Sequence, residues 1–219
     1  MTAWTVQSRA AAVDAVFVAA PVLPVIAIDD LEQAVPLARC LVDAGLPVLE
    51  ITLRTPVAVE AIRRMAGEVE GAIVGAGTVL GATDLANVTD AGARFAISPG
   101  ATEAIYAAAG AAAIPLIPAI ATASELMRGM EHGHRRFKFF PAESSGGIAA
   151  LKSFAGPFAG VRFCPTGGID LAKAPAYLAL ANVATLGGSW MVPGDALKSG
   201  DYARIGRLAA EAAGLRTPR

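Results

Sequence analysis

Short runs of apolar residues recur along the chain and alternate with segments that have a helical pattern. The runs begin about 20–26 residues apart, and glycine, proline or polar residues bound each of them. They predict eight strands, at Val22–Ile28, Val48–Leu53, Ala72–Thr78, Phe95–Pro99, Ile114–Ile120, Arg136–Pro141, Arg162–Thr166 and Val183–Ser189. Strands that are apolar throughout and separated by helices are typical of a parallel sheet whose two faces are both covered. The pattern therefore predicts an α/β fold.

Helical periodicity follows several of these strands and also occupies both ends of the chain. The predicted helices are Leu31–Asp43, Val57–Ala66, Thr122–Met130 and Ala172–Ala181, with terminal helices at Ala3–Val18 and Tyr202–Gly214. Eight strand–helix units in about 200 residues match a small (β/α)8 barrel, or TIM barrel. The alternative is an open doubly wound sheet of six strands, which requires two of the eight strands to be wrong. We expect residues 1–219 to form a single barrel domain whose extra N-terminal helix closes the bottom.

The composition excludes a disordered chain and raises the question of a membrane protein. Of the 219 residues, 54% are hydrophobic and 17% are charged, and the mean hydropathy is +0.52. Two stretches of membrane-spanning length, Ala104–Ser124 and Ala174–Gly194, carry no charge, but proline and glycine interrupt both. Asp14 precedes the uncharged run Ala15–Ile28, and prolines break it, so it is a poor signal peptide. We therefore predict a soluble cytoplasmic protein with no membrane partner.

Charge, cysteine and histidine content point to no further partner class. The net charge is −1, which gives no electrostatic footprint for nucleic acid. Cys40 and Cys164 lie far apart without metal or redox spacing, so we interpret them as small buried groups in a reducing compartment. His132 and His134 share a predicted turn, but no nearby residues complete a ligand set. We predict no metal and no cofactor.

Charged residues inside the second predicted strand are the first candidates for chemistry. Side chains alternate between the two faces of a strand, so Leu49, Ile51 and Leu53 would face the helices. Glu50, Thr52 and Arg54 would then face the barrel interior, with Arg54 at the strand end where barrel active sites are built. The alternative is a buried Glu50–Arg54 ion pair with no catalytic role.

The sixth strand carries the clearest signal. Lys138 is one of four lysines in the chain and the only one inside an apolar run, Phe137–Pro141. Alternation places Lys138 and Phe140 on the inner face. Burial and a nearby cation both disfavour the ammonium form, and a neutral amine can attack a carbonyl carbon. The alternatives are a lysine that reaches the strand end or one that pairs with Glu50 or Glu143.

Two glycine pairs end the last two strands. They lie in Pro165–Gly168 and in Gly187–Ser189, each before a possible helix start. Backbone N–H groups at such positions can approach a phosphate closely, and barrels commonly bind phosphate in the loops after strands seven and eight. The alternative is that these glycines only serve turns.

Two other strand ends offer side chains to the same face. Thr78 ends the third strand and could supply a hydroxyl to a substrate, or could be a helix N-cap. Pro99 ends the fourth strand and could line the pocket or form a turn.

Taken together, these segments resemble one family, the 2-keto-3-deoxy-6-phosphogluconate and 4-hydroxy-2-oxoglutarate aldolases (KDPG/KHG aldolases). The similar segments keep the family's order and cover about residues 20–200. They are Val48–Thr55, Ile73–Leu80, Phe95–Gly100, Ile114–Pro118, Phe137–Glu143, Arg162–Ile169 and Gly187–Trp190.

The resemblance implies a class I aldolase of the Entner–Doudoroff pathway, usually a homotrimer, that cleaves a small phosphorylated keto-acid. It assigns the Schiff base to Lys138 and general acid/base catalysis to Glu50. It places the pyruvate carboxylate on Arg54 and Thr78 and the rest of the sugar on Thr166 and Ser189. The phosphate would lie near Gly167, Gly168 and Gly188, and Pro99 and Phe140 would line the pocket. The preference for the gluco or galacto epimer and the extent of 4-hydroxy-2-oxoglutarate cleavage stay open.

Two other functions remain compatible with the residues themselves. The first is another phosphate-binding barrel enzyme, such as an isomerase or epimerase, in which Lys138 is only an electrostatic group. The second is a non-catalytic sugar-phosphate-binding protein, although buried charges are costly without a use for them.

Overall fold

Eight parallel strands form a barrel in the structure, a computed structural model that describes residues 4–215. The strands are β1 (Val22–Ile26), β2 (Val48–Thr52), β3 (Ile73–Gly77), β4 (Ala96–Ser98), β5 (Leu116–Ile120), β6 (Arg136–Phe139), β7 (Arg162–Pro165) and β8 (Leu186–Gly188). They pair in chain order from β1 to β7, and β8 pairs with β1. The bridges Phe163–Val183 and Thr166–Gly187 connect β7 to the β8 segment. The (β/α)8 prediction is confirmed, and the open six-stranded alternative is wrong.

Ten α-helices lie among the described residues, and they surround or cap this barrel. They are α1 (Val6–Val18), α2 (Ala34–Asp43), α3 (Ala58–Glu68), α4 (Ala82–Asp90), α5 (Glu103–Ala111), α6 (Ala123–Glu131), α7 (Gly147–Ala155), α8 (Ala174–Leu178), α9 (Gly194–Ser199) and α10 (Tyr202–Ala213). No helix within residues 4–215 is both long enough and apolar enough to span a bilayer. The two long uncharged stretches fall largely on α5 with β5 and on α8 with β8.

Several predicted elements are shorter in the structure, and two of them differ most. The helix predicted over Ala172–Ala181 is only α8, because Asp170 accepts a hydrogen bond from the Lys173 N–H and forms a turn before the helix begins. The strand predicted from Val183 begins only at Leu186. Residues 183 and 184 pair with Phe163 of β7, whereas β8 pairs with β1.

The extra N-terminal helix lies where the strands begin. Asp14 of α1 accepts two hydrogen bonds from Arg136, the first residue of β6, at 2.5 and 2.7 Å. Arg9 of α1 donates to the carbonyl of His132, just before β6. This helix therefore occupies the end of the barrel opposite to the C-terminal strand ends, as predicted. Ala3, where the predicted helix started, lies outside the described residues.

His134, one of the two histidines of the predicted turn, is a buried titratable group next to this bottom face. It lies beside the rings of Tyr106 and Phe137, and its Nε2 has no hydrogen-bond partner in the described part of the chain. Burial, together with the nearby charges of Arg9 and Arg135, lowers the pKa of His134 from 6.5 to about 3. The folded protein therefore holds this imidazole neutral across the mildly acidic range.

We expect His134→Phe to make the protein more resistant to acid. Between pH 6.5 and about 3 the unfolded chain binds one more proton at this position than the folded protein. The free energy of unfolding of the wild type therefore falls as pH falls through this window, by at most about 1.4 kcal/mol per pH unit. Phenylalanine keeps the aromatic packing and removes that proton. Urea unfolding at about pH 8 and about pH 5 measures the difference, and parallel losses in both proteins would contradict the expectation.

Candidate active site

A buried lysine and a buried glutamate meet inside the barrel. Lys138 Nζ of β6 donates to Glu50 Oε1 of β2 across 2.8 Å, and their side chains are 7% and 1% exposed. Alternation along the two strands predicted that both would point inward, and this is confirmed. Of the partners considered for Lys138, the structure supplies Glu50 and not Glu143. No Glu50–Arg54 ion pair exists among the described residues.

The glutamate carboxylate is held tightly but keeps one oxygen available. Glu50 Oε2 is buried and accepts no hydrogen bond from any described residue. Gly77 of β3 creates the space for this carboxylate, because a Cβ there would lie 2.3 Å from Glu50 Oε1 and 2.8 Å from its Cγ. Buried carboxylate oxygens are rarely left unpaired. The free oxygen is therefore suited to receive a proton from a bound molecule.

Beside Glu50, Lys138 also lies near an aromatic ring and a thiol. Its Nζ lies 5.5 Å from the centre of the Phe140 ring, so Phe140 faces the interior as predicted. Cys164 of β7 is paired in register with Lys138 and is fully buried. Burial raises the pKa of the Cys164 thiol to about 12, so the thiol stays protonated. Cys164 thus matches the predicted small buried group, whereas Cys40 is only half-buried.

Thr52, a residue for which no role was predicted, orients Arg54. Arg54 Nε donates to Thr52 Oγ1 at 3.0 Å, and the buried Thr52 hydroxyl donates to the Ile26 carbonyl of β1 at 2.9 Å. The exposed Arg54 guanidinium makes no other hydrogen bond or ion pair with residues 4–215. Its two terminal nitrogens are therefore free to form a bidentate contact with a carboxylate.

Thr78 and Pro99 directly follow the C-terminal ends of β3 and β4. Thr78 directly follows β3 and has a φ of 60°, which is a left-handed conformation and a rare one for a β-branched residue. It is not an N-cap, because Gly81 occupies that position before α4. Strained backbone of this kind is concentrated at functional sites. Pro99 follows β4 and is exposed.

The two glycine pairs serve different structural purposes. Gly167 and Gly168 have φ values of 106° and 76°, so their turn requires glycine. This agrees with the alternative in which the glycines serve a turn. Gly187 and Gly188 do not have positive φ. A Cβ at Gly187 would lie 2.2 Å from Thr166 Oγ1, and one at Gly188 would lie 1.9 Å from the Trp190 ring. These two glycines permit close packing beside β7 and β8.

A cavity of about 410 Å³ opens at the C-terminal ends of β1, β2 and β8. Its walls include Arg54 and Ser189, together with Ala27, Gln33 and Lys198. The structure therefore brings Arg54 and Ser189 to one cavity and joins Lys138 to Glu50 by direct contact. Thr166 is linked to Gly187 by a bridge. Arg54 forms no hydrogen bond or ion pair with Glu50 or Lys138, and Thr52 lies between Glu50 and Arg54 along the chain.

Glu143 belongs to a cluster that the sequence did not reveal. It accepts hydrogen bonds from Lys173 and from the Tyr177 hydroxyl. All three residues lie in loops or short helices whose approach depends on the closed barrel, so no local pattern could have identified them.

The two histidines do not form a metal site. His132 stacks on Tyr106 and pairs with Glu103, while His134 is buried beneath them. The part of the chain from 4 to 215 holds no group of three or more His, Cys, Asp or Glu side chains placed to bind a metal ion.

The chain is similar to known proteins over nearly its whole length. The family model for KDPG and KHG aldolase matches residues 13–208. The KHG/KDPG aldolase of Escherichia coli strain K12 is 59% identical over 199 residues, covering 91% of this chain and 93% of that protein. The 2-dehydro-3-deoxy-phosphogluconate aldolase of Dickeya dadantii is 61% identical over 197 residues, covering 90% of this chain and 92% of the relative.

A solved structure extends the similarity to three dimensions. The KDPG aldolase of Legionella pneumophila has a TM-score of 0.90 and 48% identity, over 91% of this chain and 97% of that one. That enzyme was crystallised with pyruvate captured at low pH as a covalent carbinolamine intermediate.

Proposed function

Because this chain belongs to the KDPG and KHG aldolase family, we propose that it is a class I aldolase that uses Lys138 as its Schiff-base residue. The proposed substrate is 2-keto-3-deoxy-6-phosphogluconate, cleaved to pyruvate and glyceraldehyde 3-phosphate. A second substrate is 4-hydroxy-2-oxoglutarate, cleaved to pyruvate and glyoxylate. The observation that carries the proposal is the buried 2.8 Å contact between Lys138 Nζ and Glu50 Oε1.

The contact explains how the lysine becomes a nucleophile. Glu50 accepts the proton of the Lys138 ammonium across the existing hydrogen bond and leaves a neutral amine. The amine nitrogen attacks the C2 ketone of the substrate and forms a carbinolamine. Glu50 then gives that proton to the carbinolamine hydroxyl, which leaves as water. The protonated imine that remains draws electrons from the bond between C3 and C4.

Glu50 handles the remaining protons. Its carboxylate removes the proton of the C4 hydroxyl, the C3–C4 bond breaks, and the aldehyde leaves. The bond electrons form an enamine on the pyruvate fragment. Glu50 returns a proton to C3, and water hydrolyses the imine to release pyruvate and the free lysine. The iminium is the electron sink of this scheme, so the scheme needs no metal and no cofactor.

The remaining residues bind the two ends of the substrate. Arg54 offers a bidentate fork to the pyruvate carboxylate, helped by the Thr78 hydroxyl. Thr166 and Ser189 contact the hydroxyl groups of the sugar chain. The phosphate lies at Gly167, Gly168 and Gly188, and Pro99 and Phe140 line the pocket. We further propose that residues 1–219 form one barrel domain and that the enzyme is a cytoplasmic homotrimer.

Borohydride trapping tests the proposed chemistry against the two other functions. With pyruvate and borohydride, we expect irreversible inactivation and a mass increase on the peptide that contains Lys138. An isomerase, an epimerase or a binding protein would form no such adduct. Pyruvate release from the two substrates, measured with and without a chelator, completes the test. Activity that a chelator removes would refute the class I assignment.

Thr52→Val is expected to weaken binding of the carboxylate end while leaving the chemistry intact. Valine matches the shape of threonine but cannot accept the Arg54 Nε–H. A hydrogen bond contributes about 1 kcal/mol net, so we expect KM to rise about fivefold for both substrates, with little change in kcat. Thr52→Ser keeps the oxygen and should restore KM. An unchanged KM in the valine variant would show that Thr52 does not position Arg54.

A further inference from the structure

The loop that carries Gly167 and Gly168 is fixed by three consecutive hydrogen bonds to its carbonyl oxygens. Ala142 N–H donates to the Thr166 carbonyl at 2.8 Å, and Glu143 N–H donates to the Gly167 carbonyl at 3.1 Å. Lys173 Nζ donates to the Gly168 carbonyl at 2.9 Å. Each carbonyl oxygen of Thr166–Gly168 therefore accepts a hydrogen bond from a donor outside that segment.

These bonds determine where the next three amide groups point. In a planar trans peptide, the N–H of one residue points opposite to the carbonyl of the residue before it. The N–H groups of Gly167 and Gly168 therefore point away from the β6 loop, and that of Ile169 points away from Lys173. None of the three makes a hydrogen bond to any residue from 4 to 215. Since β7 lies between β6 and β8, the two glycine amides face the β8 side, where Ser189 lies.

A charged cluster braces the outer side of this loop. The Glu143 side chain lies against Gly168, where a Cβ would fall 2.7 Å from Glu143 Cγ. Its carboxylate accepts a hydrogen bond from Lys173 Nζ at 2.7 Å and another from the Tyr177 hydroxyl. These two donors lower the pKa of Glu143 below its usual range. Lys173 thus connects the Glu143 carboxylate with the Gly168 carbonyl.

We propose that Lys173 and Glu143 are positioning residues that set the affinity for the phosphate end of the substrate, by holding the free N–H groups of Gly167, Gly168 and Ile169 toward it. Two successive glycines give this loop a wide choice of backbone conformations. A loop already held in its binding conformation loses less entropy when an anion arrives. The proposal depends on the proposed function only in taking this loop as the phosphate site.

Lys173→Met tests the proposal by separating phosphorylated from unphosphorylated substrates. We expect KM for 2-keto-3-deoxy-6-phosphogluconate to rise about fivefold, the size of one lost hydrogen bond. KM for 4-hydroxy-2-oxoglutarate, which has no phosphate, should not change. Lys173→Arg keeps a donor and should lie near the wild type. Lys152→Met, which removes an exposed lysine of α7, is the matched control. Equal shifts for the two substrates, or none, would overturn the proposal.

Glu143→Gln distinguishes a brace from simple attraction between charges. If only the local field mattered, removal of a negative charge would tighten phosphate binding. If Glu143 instead acts by holding Lys173 in place, phosphate binding should weaken, because Lys173 loses its ionic partner. Calorimetric titration with inorganic phosphate measures this without turnover. Weaker binding in Glu143→Gln and Lys173→Met supports the proposal even if no keto-acid is cleaved. Tighter binding in Glu143→Gln, or no phosphate binding by the wild type, refutes it.

Discussion

Lys138→Met is expected to release no measurable pyruvate from 2-keto-3-deoxy-6-phosphogluconate. Methionine fills a similar volume but cannot form an imine, and the covalent route is lost with it. We expect kcat to fall by more than about 10⁴-fold, because the iminium is the only electron sink in the proposed chemistry. The same variant should gain no mass with pyruvate and borohydride. Pyruvate release, coupled to lactate dehydrogenase, provides the rate.

The single substitution also leaves Glu50 buried without its partner. An unpaired buried charge destabilises a protein by about 3–5 kcal/mol, so loss of activity could reflect unfolding. The double variant Glu50→Gln, Lys138→Met removes both charges and should unfold at a denaturant concentration close to that of the wild type. Lys152→Met should keep full activity. If Lys138→Met retains a hundredth of the wild-type rate and still traps pyruvate elsewhere, another residue forms the imine.

The sequence was sufficient to locate this pair because a charge inside an apolar strand is a strong and rare signal. Alternation along β2 and β6 also gave the direction in which Glu50 and Lys138 point. Alternation could not identify the ion pairs, because Lys138 could pair with Glu50 or Glu143 and Glu50 could pair with Arg54. The pairing depends on which strands face each other across the closed barrel. Glu50 and Lys138 lie 88 positions apart in the chain, so no local sequence pattern indicates that they meet.

The supporting residues were harder to predict for the same reason. Thr52 was placed on the inner face, but its bridge between Arg54 and the Ile26 carbonyl depends on the β1–β2 register. Both glycine pairs were read as one phosphate-binding pattern, yet only Gly167 and Gly168 have positive φ. Gly187 and Gly188 are required by side chains that pack over them. The sequence alone does not show whether a glycine is required for a positive φ or for close packing.

Gly77 shows how large an effect such a packing glycine can have, and we expect Gly77→Ala to lower kcat about 100-fold. An alanine methyl would overlap Glu50 at Oε1, Cγ and Cδ, all within 2.9 Å. The glutamate is the movable partner, so its carboxylate must swing away from Lys138. A general acid/base contributes about 10²–10⁴-fold to a rate, and a displaced one loses much of that. Lys138 itself remains, so pyruvate should still be trapped by borohydride.

Proton exchange separates this mechanism from general damage to the fold. Glu50 is proposed to move protons to and from C3, so exchange of the pyruvate methyl protons in heavy water should slow in parallel with kcat. NMR follows this exchange without the aldehyde substrate. Gly81→Ala is the matched control, because a Cβ there meets nothing within 4 Å, and it should match the wild type. A Gly77→Ala protein with kcat within threefold of the wild type would mean that the position of Glu50 does not limit the reaction.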